Sequence, residues 1–72
     1  MPPSLPRLSG AEVVAALEKL GFVRARQKGS HVILRRGQSG CVVPLHRELK
    51  TGTLSGVLKQ AGISLDELQS KL

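Results

Sequence analysis

The sequence has almost no aromatic residues and only one cysteine, and both shortages narrow the classes of protein it can belong to. Phe22 is the only aromatic residue among 72, with no Trp or Tyr. Proteins that bind single strands by base stacking normally use several aromatic rings, so that mode of binding is not expected. Cys41 has no second cysteine with which to form an internal disulfide. This fits a reducing compartment and predicts a cytoplasmic protein.

Long apolar runs are also missing. A bilayer-spanning helix needs roughly 20 consecutive apolar residues, and here such runs last only a few residues, so no membrane association is predicted. Apolar residues still make up 40% of the chain, which favours a folded domain over a disordered tail. A chain of 72 residues has room for one small core. We predict an extended N-terminal segment over residues 1–8 and a single domain over residues 9–72.

Acidic residues are scarce in the middle of the chain, where the positive charge collects. Eleven Lys and Arg against five Asp and Glu give a net charge of +6. Positions 24–50 hold one acid, Glu48, and seven bases, whereas four bases balance four acids elsewhere. A positive surface that is localised in this way attracts phosphate backbones, acidic proteins or anionic lipid. The alternative is a basic face that only keeps the protein in solution. The seven bases are Arg24, Arg26, Lys28, Arg35, Arg36, Arg47 and Lys50.

The apolar spacing predicts an α+β fold. A capping box, Ser9-Gly10-Ala11-Glu12, opens a helix over about residues 10–20. Strands are expected over 22–27, 30–36 and 41–45, followed by a helix from about position 51 to 61 that Gly62 closes. A second capping box, Ser64-Leu65-Asp66-Glu67, opens a short final helix. Since amphipathic helices must bury their apolar sides, we expect them to cover one face of a three-stranded antiparallel sheet. The other face is left for solvent or a ligand.

Finer placements follow from the same patterns. Phe22, Arg24 and Arg26 alternate along the first strand, which predicts that they share one face. Gly37-Gln38-Ser39-Gly40 is a hairpin connection with Gln38-Ser39 as its loop. In the final helix, Leu65, Leu68 and Leu72 are expected to point inward.

Several kinds of catalytic site are absent from the sequence. It has no phosphate-binding glycine loop, no paired carboxylates and no Cys/His set with zinc spacing, so neither a metal nor a cofactor is predicted. Ser30 and His31 are neighbours in a predicted strand and point to opposite faces, so they cannot form a dyad directly. Cys41 lies in an apolar strand, where a free cysteine usually behaves as a small buried hydrophobe.

The two histidines, His31 and His46, are the remaining candidates. With Gln38-Ser39 as the loop, paired positions sum to 77, which places position 31 opposite position 46 within the basic region. Histidine ordinarily titrates at a pKa of about 6.5 and suits proton transfer near neutral pH. RNA carries its own nucleophile, the 2′-hydroxyl, so its cleavage needs only a base, cationic stabilisation and positioning. From the residues alone, two structural or surface histidines are an equally good interpretation.

The sequence resembles the HicA family of toxins over about residues 8–63. The segments that carry the resemblance, in order and at the family's spacing, are Gly21-Phe22, Lys28-Gly29-Ser30-His31, Val43-Pro44-x-His46, the stretch from Leu49 to Leu54, and Val57 to Ile63. Many members have a second histidine after Gly-Ser-His, where this chain has Val32.

The resemblance implies a double-stranded-RNA-binding-domain-like fold of order α-β-β-β-α. It also implies an endoribonuclease that cleaves mRNA, neutralised by a HicB-type antitoxin that covers the active site. His31 matches the family's catalytic histidine, as general base or acid, and His46 stands at a second position that often carries histidine. We expect RNA contacts from Arg24, Arg26, Lys28, Ser30, Arg35, Arg47 and Lys50.

Two other functions remain open. A non-catalytic RNA-binding module needs the basic residues but not the histidine, and would bind RNA in a salt-dependent way without cutting it. A small adaptor would use the same basic face to bind an acidic protein.

Overall fold

A computed structural model of the chain describes residues 7–72, and its element order is the predicted one. The three strands form a single antiparallel sheet of order β1-β2-β3. The α-β-β-β-α order with a short C-terminal helix is therefore confirmed. The elements are α1 (Gly10–Lys19), β1 (Val23–Lys28), β2 (His31–Arg36), β3 (Ser39–Pro44), α2 (Thr51–Ala61) and α3 (Leu65–Gln69).

The predicted N-terminal segment over residues 1–8 falls mostly on residues 1–6, which lie outside the described part of the chain. Of its last two residues, Arg7 is exposed and Leu8 is buried in the core. The Leu49 amide donates to the Leu8 carbonyl oxygen at 2.7 Å. This bond ties the start of the described chain to the loop that follows β3.

Both predicted capping boxes are present. The Ser9 hydroxyl accepts from the Glu12 amide at 3.0 Å, and the Glu12 carboxylate accepts from the Ser9 amide at 3.0 Å. The Ser9 backbone amide, followed by the Ser9 side chain, stabilises the charged Glu12 carboxylate and lowers the pKa of Glu12. Ser64 and Glu67 repeat the arrangement at the start of α3. Gly62 ends α2 with a left-handed φ of 71°, which costs glycine little.

The helices cover one face of the sheet, as predicted. The covered face of β2 and β3 contributes Val32, Leu34, Cys41 and Val43 to one apolar cluster. All three helices contribute side chains to the same cluster: Val13, Val14, Ala16, Leu17, Leu54, Val57, Ala61 and Leu68.

The prediction that Leu72 points inward is wrong. Its side chain is 52% exposed, whereas Leu68 is fully buried. The reason is that α3 ends at Gln69. Leu72 lies beyond the end of the helix, so helical periodicity does not place its side chain on the buried face.

The β2–β3 hairpin turns one residue earlier than predicted. Arg36 pairs with Ser39, so the two-residue loop is Gly37-Gln38 and paired positions sum to 75. Gly37 has a φ of 59°, and glycine at the first central position is what a type II′ turn requires. His31 consequently lies opposite Pro44, and the prediction that it lies opposite His46 is wrong.

A β-bulge separates two arginines that were predicted to share a face. Arg24 pairs with Leu34 and Arg26 with Ile33, so Ala25 is an extra residue in β1. Directly paired residues lie on the same side of a sheet. Leu34 is buried under the helices and Ile33 belongs to the other face, so Arg24 and Arg26 point to opposite sides.

Candidate active site

The sheet face turned away from the helices, called the open face below, carries the predicted catalytic histidine. His31, Ile33 and Arg35 alternate along β2 with the buried Val32 and Leu34, so they point to this side. The register adds residues of the two neighbouring strands. They are Val23, Arg26 and Lys28 of β1 and Gly40 and Val42 of β3.

His31 is exposed at the first position of β2. Gly29, with a φ of 59°, makes the turn before it, and the Gln27 side-chain amide donates to the Gly29 carbonyl oxygen at 3.1 Å. Lys28 is the direct cross-strand neighbour of His31. Within residues 7–72, no hydrogen bond or ion pair engages the His31 imidazole. The ring is therefore accessible to a ligand and beside a cation.

His46 is exposed and lies close to His31 along the backbone, although the two are not directly opposed. The Leu45 amide donates to the Ser30 carbonyl oxygen at 2.7 Å, so the residue before His46 is bonded to the residue before His31. β3 ends at Pro44, the partner of His31, so His46 lies in the loop just beyond that end of the sheet. The two histidines are therefore at the same end of the sheet without being cross-strand partners.

The N-terminus of α1 fixes the backbone at His46. The Gly10 amide donates to the His46 carbonyl oxygen at 2.9 Å. A Cβ atom at Gly10 would lie 2.0 Å from the Pro44 carbonyl oxygen and 2.8 Å from the Leu45 Cα atom. Only glycine therefore permits this contact between the helix and the end of β3. Sequence reasoning placed Gly10 in a capping box and missed this role, since the partner segment is remote in sequence.

Three of the predicted RNA-binding cations share the open face with His31: Arg26, Lys28 and Arg35. All three are exposed. No Asp or Glu occurs between positions 23 and 44, so the three strands carry no acid to neutralise them. Ser30 is also exposed, in the turn that leads to His31.

Arg24 is not part of this group. It points to the helix side of the sheet, where its Nε atom lies 3.4 Å from Glu18 Oε2 of α1. Arg36 is also engaged, since its Nη1 donates to the Leu20 carbonyl oxygen at 2.9 Å and its guanidinium lies 4.6 Å from the centroid of the Phe22 ring. These two arginines serve the packing of α1 against the sheet.

The last two predicted RNA contacts, Arg47 and Lys50, lie in the loop between β3 and α2. Both are exposed. The loop leaves β3 after Pro44, the partner of His31, so it begins at the same end of the sheet as that histidine. Lys50 is the N-cap residue of α2 and makes no side-chain cap. Both cations extend the positive surface from the open face towards α2.

The other chemical groups of the described chain are less suited to catalysis. Burial raises the pKa of the Cys41 thiol to about 11, and the thiolate is the reactive form of cysteine. At neutral pH this side chain is therefore an unreactive part of the core. Residues 7–72 contain no cluster of three or more His, Cys, Asp or Glu side chains that would hold a metal ion. No helix within that range is long and apolar enough to cross a membrane.

Comparison with known proteins gives one family. Residues 10–63 match the family described as the HicA toxin of bacterial toxin–antitoxin systems. The match includes α1, the whole sheet, α2 and both histidines. No curated protein matches the chain.

Proposed function

The chain belongs to the HicA toxin family of bacterial toxin–antitoxin systems, and from that premise we propose that it is an endoribonuclease that cleaves mRNA with His31. The observation that carries the proposal is the setting of His31. Its imidazole is exposed, has no partner within residues 7–72, and lies on a strand face with cations and no acid. A phosphodiester needs such a setting, because the cations attract its charge and leave the imidazole available to move a proton.

The proposed reaction uses the nucleophile within the RNA. His31 removes the proton from a ribose 2′-hydroxyl, and the 2′-oxygen attacks the adjacent phosphorus. The bond between phosphorus and the 5′-oxygen of the next nucleotide breaks, which leaves a 2′,3′-cyclic phosphate and a 5′-hydroxyl end. The departing 5′-oxygen takes up a proton. No metal ion is needed for this step, since neither the nucleophile nor the leaving group requires one to react.

The neighbouring side chains have separate roles in this proposal. Lys28, directly opposite His31, stabilises the charge that develops on the phosphate oxygens. His46 supplies the proton to the 5′-oxygen. An acid and a base that act on opposite sides of one phosphorus must lie near each other, and the hydrogen bond from the Leu45 amide to the Ser30 carbonyl oxygen brings the residues before the two histidines together.

Arg26, Arg35, Arg47 and Lys50 bind phosphates on either side of the cut. Arg24, which is paired with Glu18 on the other side of the sheet, is left out of the RNA contacts in this proposal.

The regulatory partner follows from the family. A HicB-type antitoxin with an acidic surface would bind the open face and exclude RNA from His31. The three strands carry basic residues and no acid. This positive charge favours a partner with an acidic surface. Both mRNA and antitoxin place this activity in the cytoplasm.

The test is cleavage of RNA by purified wild type and His31→Ala, in the presence of EDTA. We expect wild type to cut and the variant to lose cleavage, by a factor of about 10²–10⁴ or more. His46→Ala should retain partial activity. Since His31 is exposed, its replacement should change the free energy of unfolding by less than about 0.5 kcal/mol, which circular dichroism during urea unfolding would verify.

Two outcomes contradict the proposal. A folded His31→Ala protein that cuts as fast as wild type would show that another group is the base. Wild type that binds RNA in low salt and leaves it intact on a denaturing gel would instead favour the non-catalytic RNA-binding module.

A further inference from the structure

A shallow groove crosses the open face beside His31. It has a volume of about 280 Å³ and runs from Ile33 and Arg35 of β2 over β3 to Gln60 of α2. Its floor is open because Gly40, the partner of Arg35, has no side chain. Ile33 and Val42 are a directly opposed pair and give the groove an apolar surface. This combination offers a small site with one flat apolar side and polar groups at its rim.

Gln60 is held at the rim in a defined orientation. Its Oε1 atom accepts a hydrogen bond from the Val42 amide at 3.2 Å, across the outer edge of β3. That bond requires the oxygen of the side-chain amide to face the strand and so assigns the other terminal atom as nitrogen. The two N–H donors of Nε2 have no partner among residues 7–72. Gln60 therefore turns its oxygen to the strand and presents its N–H donors to whatever occupies the groove.

The groove is placed to receive a nucleotide next to the one that is cut. Ile33 and Arg35 follow His31 on the same face of β2, and alternate residues of a strand are about 7 Å apart. RNA-binding proteins stack unpaired bases on aromatic side chains or on the plane of an arginine guanidinium. Arg35 is exposed and supplies such a plane here, and the half-buried Ile33 adds apolar contact beside it. The volume suits one base, since it lies just below the range of pockets for drug-sized ligands.

We propose that this groove binds the base of a nucleotide adjacent to the cleaved phosphodiester, and that Gln60 determines which bases are accepted. The proposal rests on the function proposed above. Guanine and uracil present a carbonyl oxygen where adenine and cytosine present an amino group. A fixed pair of N–H donors therefore selects guanine and uracil.

The decisive variant is Gln60→Glu. A glutamate keeps an oxygen for the Val42 amide but replaces the Nε2 donors with a second acceptor, which favours the amino groups of adenine and cytosine. We expect wild type to cut next to guanine or uracil about tenfold faster than next to adenine or cytosine, and Gln60→Glu to reverse that order. The measurement is the frequency of each base on both sides of the cut, read by sequencing the products of a random RNA pool.

Gln69→Glu is the matched control. It makes the same chemical change on an exposed residue of α3, on the helix side of the molecule. It should leave the base preference of wild type unaltered. Gly40→Val, which fills the floor of the groove, should weaken the preference without abolishing cleavage.

An unaltered base preference in Gln60→Glu would overturn the proposal, as would wild-type cleavage that ignores the base on both sides of the cut.

A second measurement separates this proposal from the proposed nuclease activity. In an NMR titration of wild type with guanosine and adenosine monophosphates, the Gly40 and Val42 amides and the Gln60 side chain should shift more with guanosine. Equal or absent shifts would reject the groove as a base site even if His31 proves catalytic. Selective shifts would support it even if the protein cuts no RNA.

Discussion

At the level of single residues, the candidate site depends on Gly10 as well as on the two histidines, because a larger residue would not fit at that position. Gly10 is the first residue of α1, and its contact with the Pro44 carbonyl oxygen leaves no space for a Cβ atom. The same residue donates a hydrogen bond to His46. The end of β3, the loop that follows it and the first turn of α1 are therefore fixed relative to one another at this glycine.

Gly10→Ala should destabilise the fold substantially. The new Cβ would meet backbone atoms, which cannot move aside as a flexible side chain can, so we expect a loss of about 3 kcal/mol in the free energy of unfolding. Urea unfolding followed by circular dichroism measures the change.

Gly56→Ala is the control for Gly10→Ala. Gly56 lies within α2, and a Cβ atom there would meet nothing within 4 Å. Alanine is a better helix former than glycine by up to about 1 kcal/mol, so this variant should be more stable than wild type. Gly10→Ala as stable as wild type would contradict the close approach of α1 to Pro44.

At the scale of elements, the bulge in β1 decides which cations can act together. A regular strand would place Arg24, Arg26 and Lys28 on one face. The extra residue Ala25 turns Arg24 to the helix side and leaves the other two on the face of His31. The ion pair between Arg24 and Glu18 is exposed to solvent. Such a pair contributes only about 0–1 kcal/mol to stability. The principal effect of the bulge is thus on the charge of the open face.

The two arginines should therefore differ in RNA binding. In a His31→Ala background, which prevents cleavage, Arg26→Gln should reduce the slope of log K against log salt by about 0.7, the value for one phosphate contact on a single strand. Arg24→Gln should leave the slope unaltered. Fluorescence anisotropy of a labelled RNA at several salt concentrations measures both slopes. Equal losses from both substitutions would show that the bulge does not separate their roles.

At the scale of the whole molecule, one small core supports a sheet that is covered on one side only. A domain of this size buries only about 60–65% of the surface of its unfolded chain, so its stability depends on a few fully buried side chains. Leu34 is one of them, with no exposed surface, on the strand that carries His31. The accessibility of the open face is possible because the helices bury the opposite side of the same strands.

Leu34→Ala should cost about 2–5 kcal/mol of unfolding free energy, enough to leave much of such a small domain unfolded. Leu72→Ala, at an exposed leucine, should cost less than about 0.5 kcal/mol. Chemical denaturation of both variants gives the comparison. If Leu34→Ala unfolds at the same urea concentration as wild type, the assigned core is wrong.

The sequence predicted the elements well because their signals are local. Capping boxes at Ser9 and Ser64 and the glycine after α2 depend on residues within one turn of the helix end, and the structure has all three. Register was harder to predict. A Gln38-Ser39 loop would need a positive φ at a residue other than glycine, whereas the observed Gly37-Gln38 loop has glycine at that place, and the difference moves the partner of His31 by two residues.

The family, the order of elements and the presence of two histidines within a basic region could be predicted from the amino-acid sequence, because motifs, apolar spacing and charge are properties of the chain. Which residues share a face depends on how the segments pair and pack in three dimensions. The bulge at Ala25 and the turn at Gly37 set the register of neighbouring strands, and the approach of Gly10 to Pro44 joins two segments distant in sequence. A strand changes the face of its side chains with every residue. A single inserted residue in β1 was therefore enough to turn Arg24 away from the open face and leave Arg26 on it.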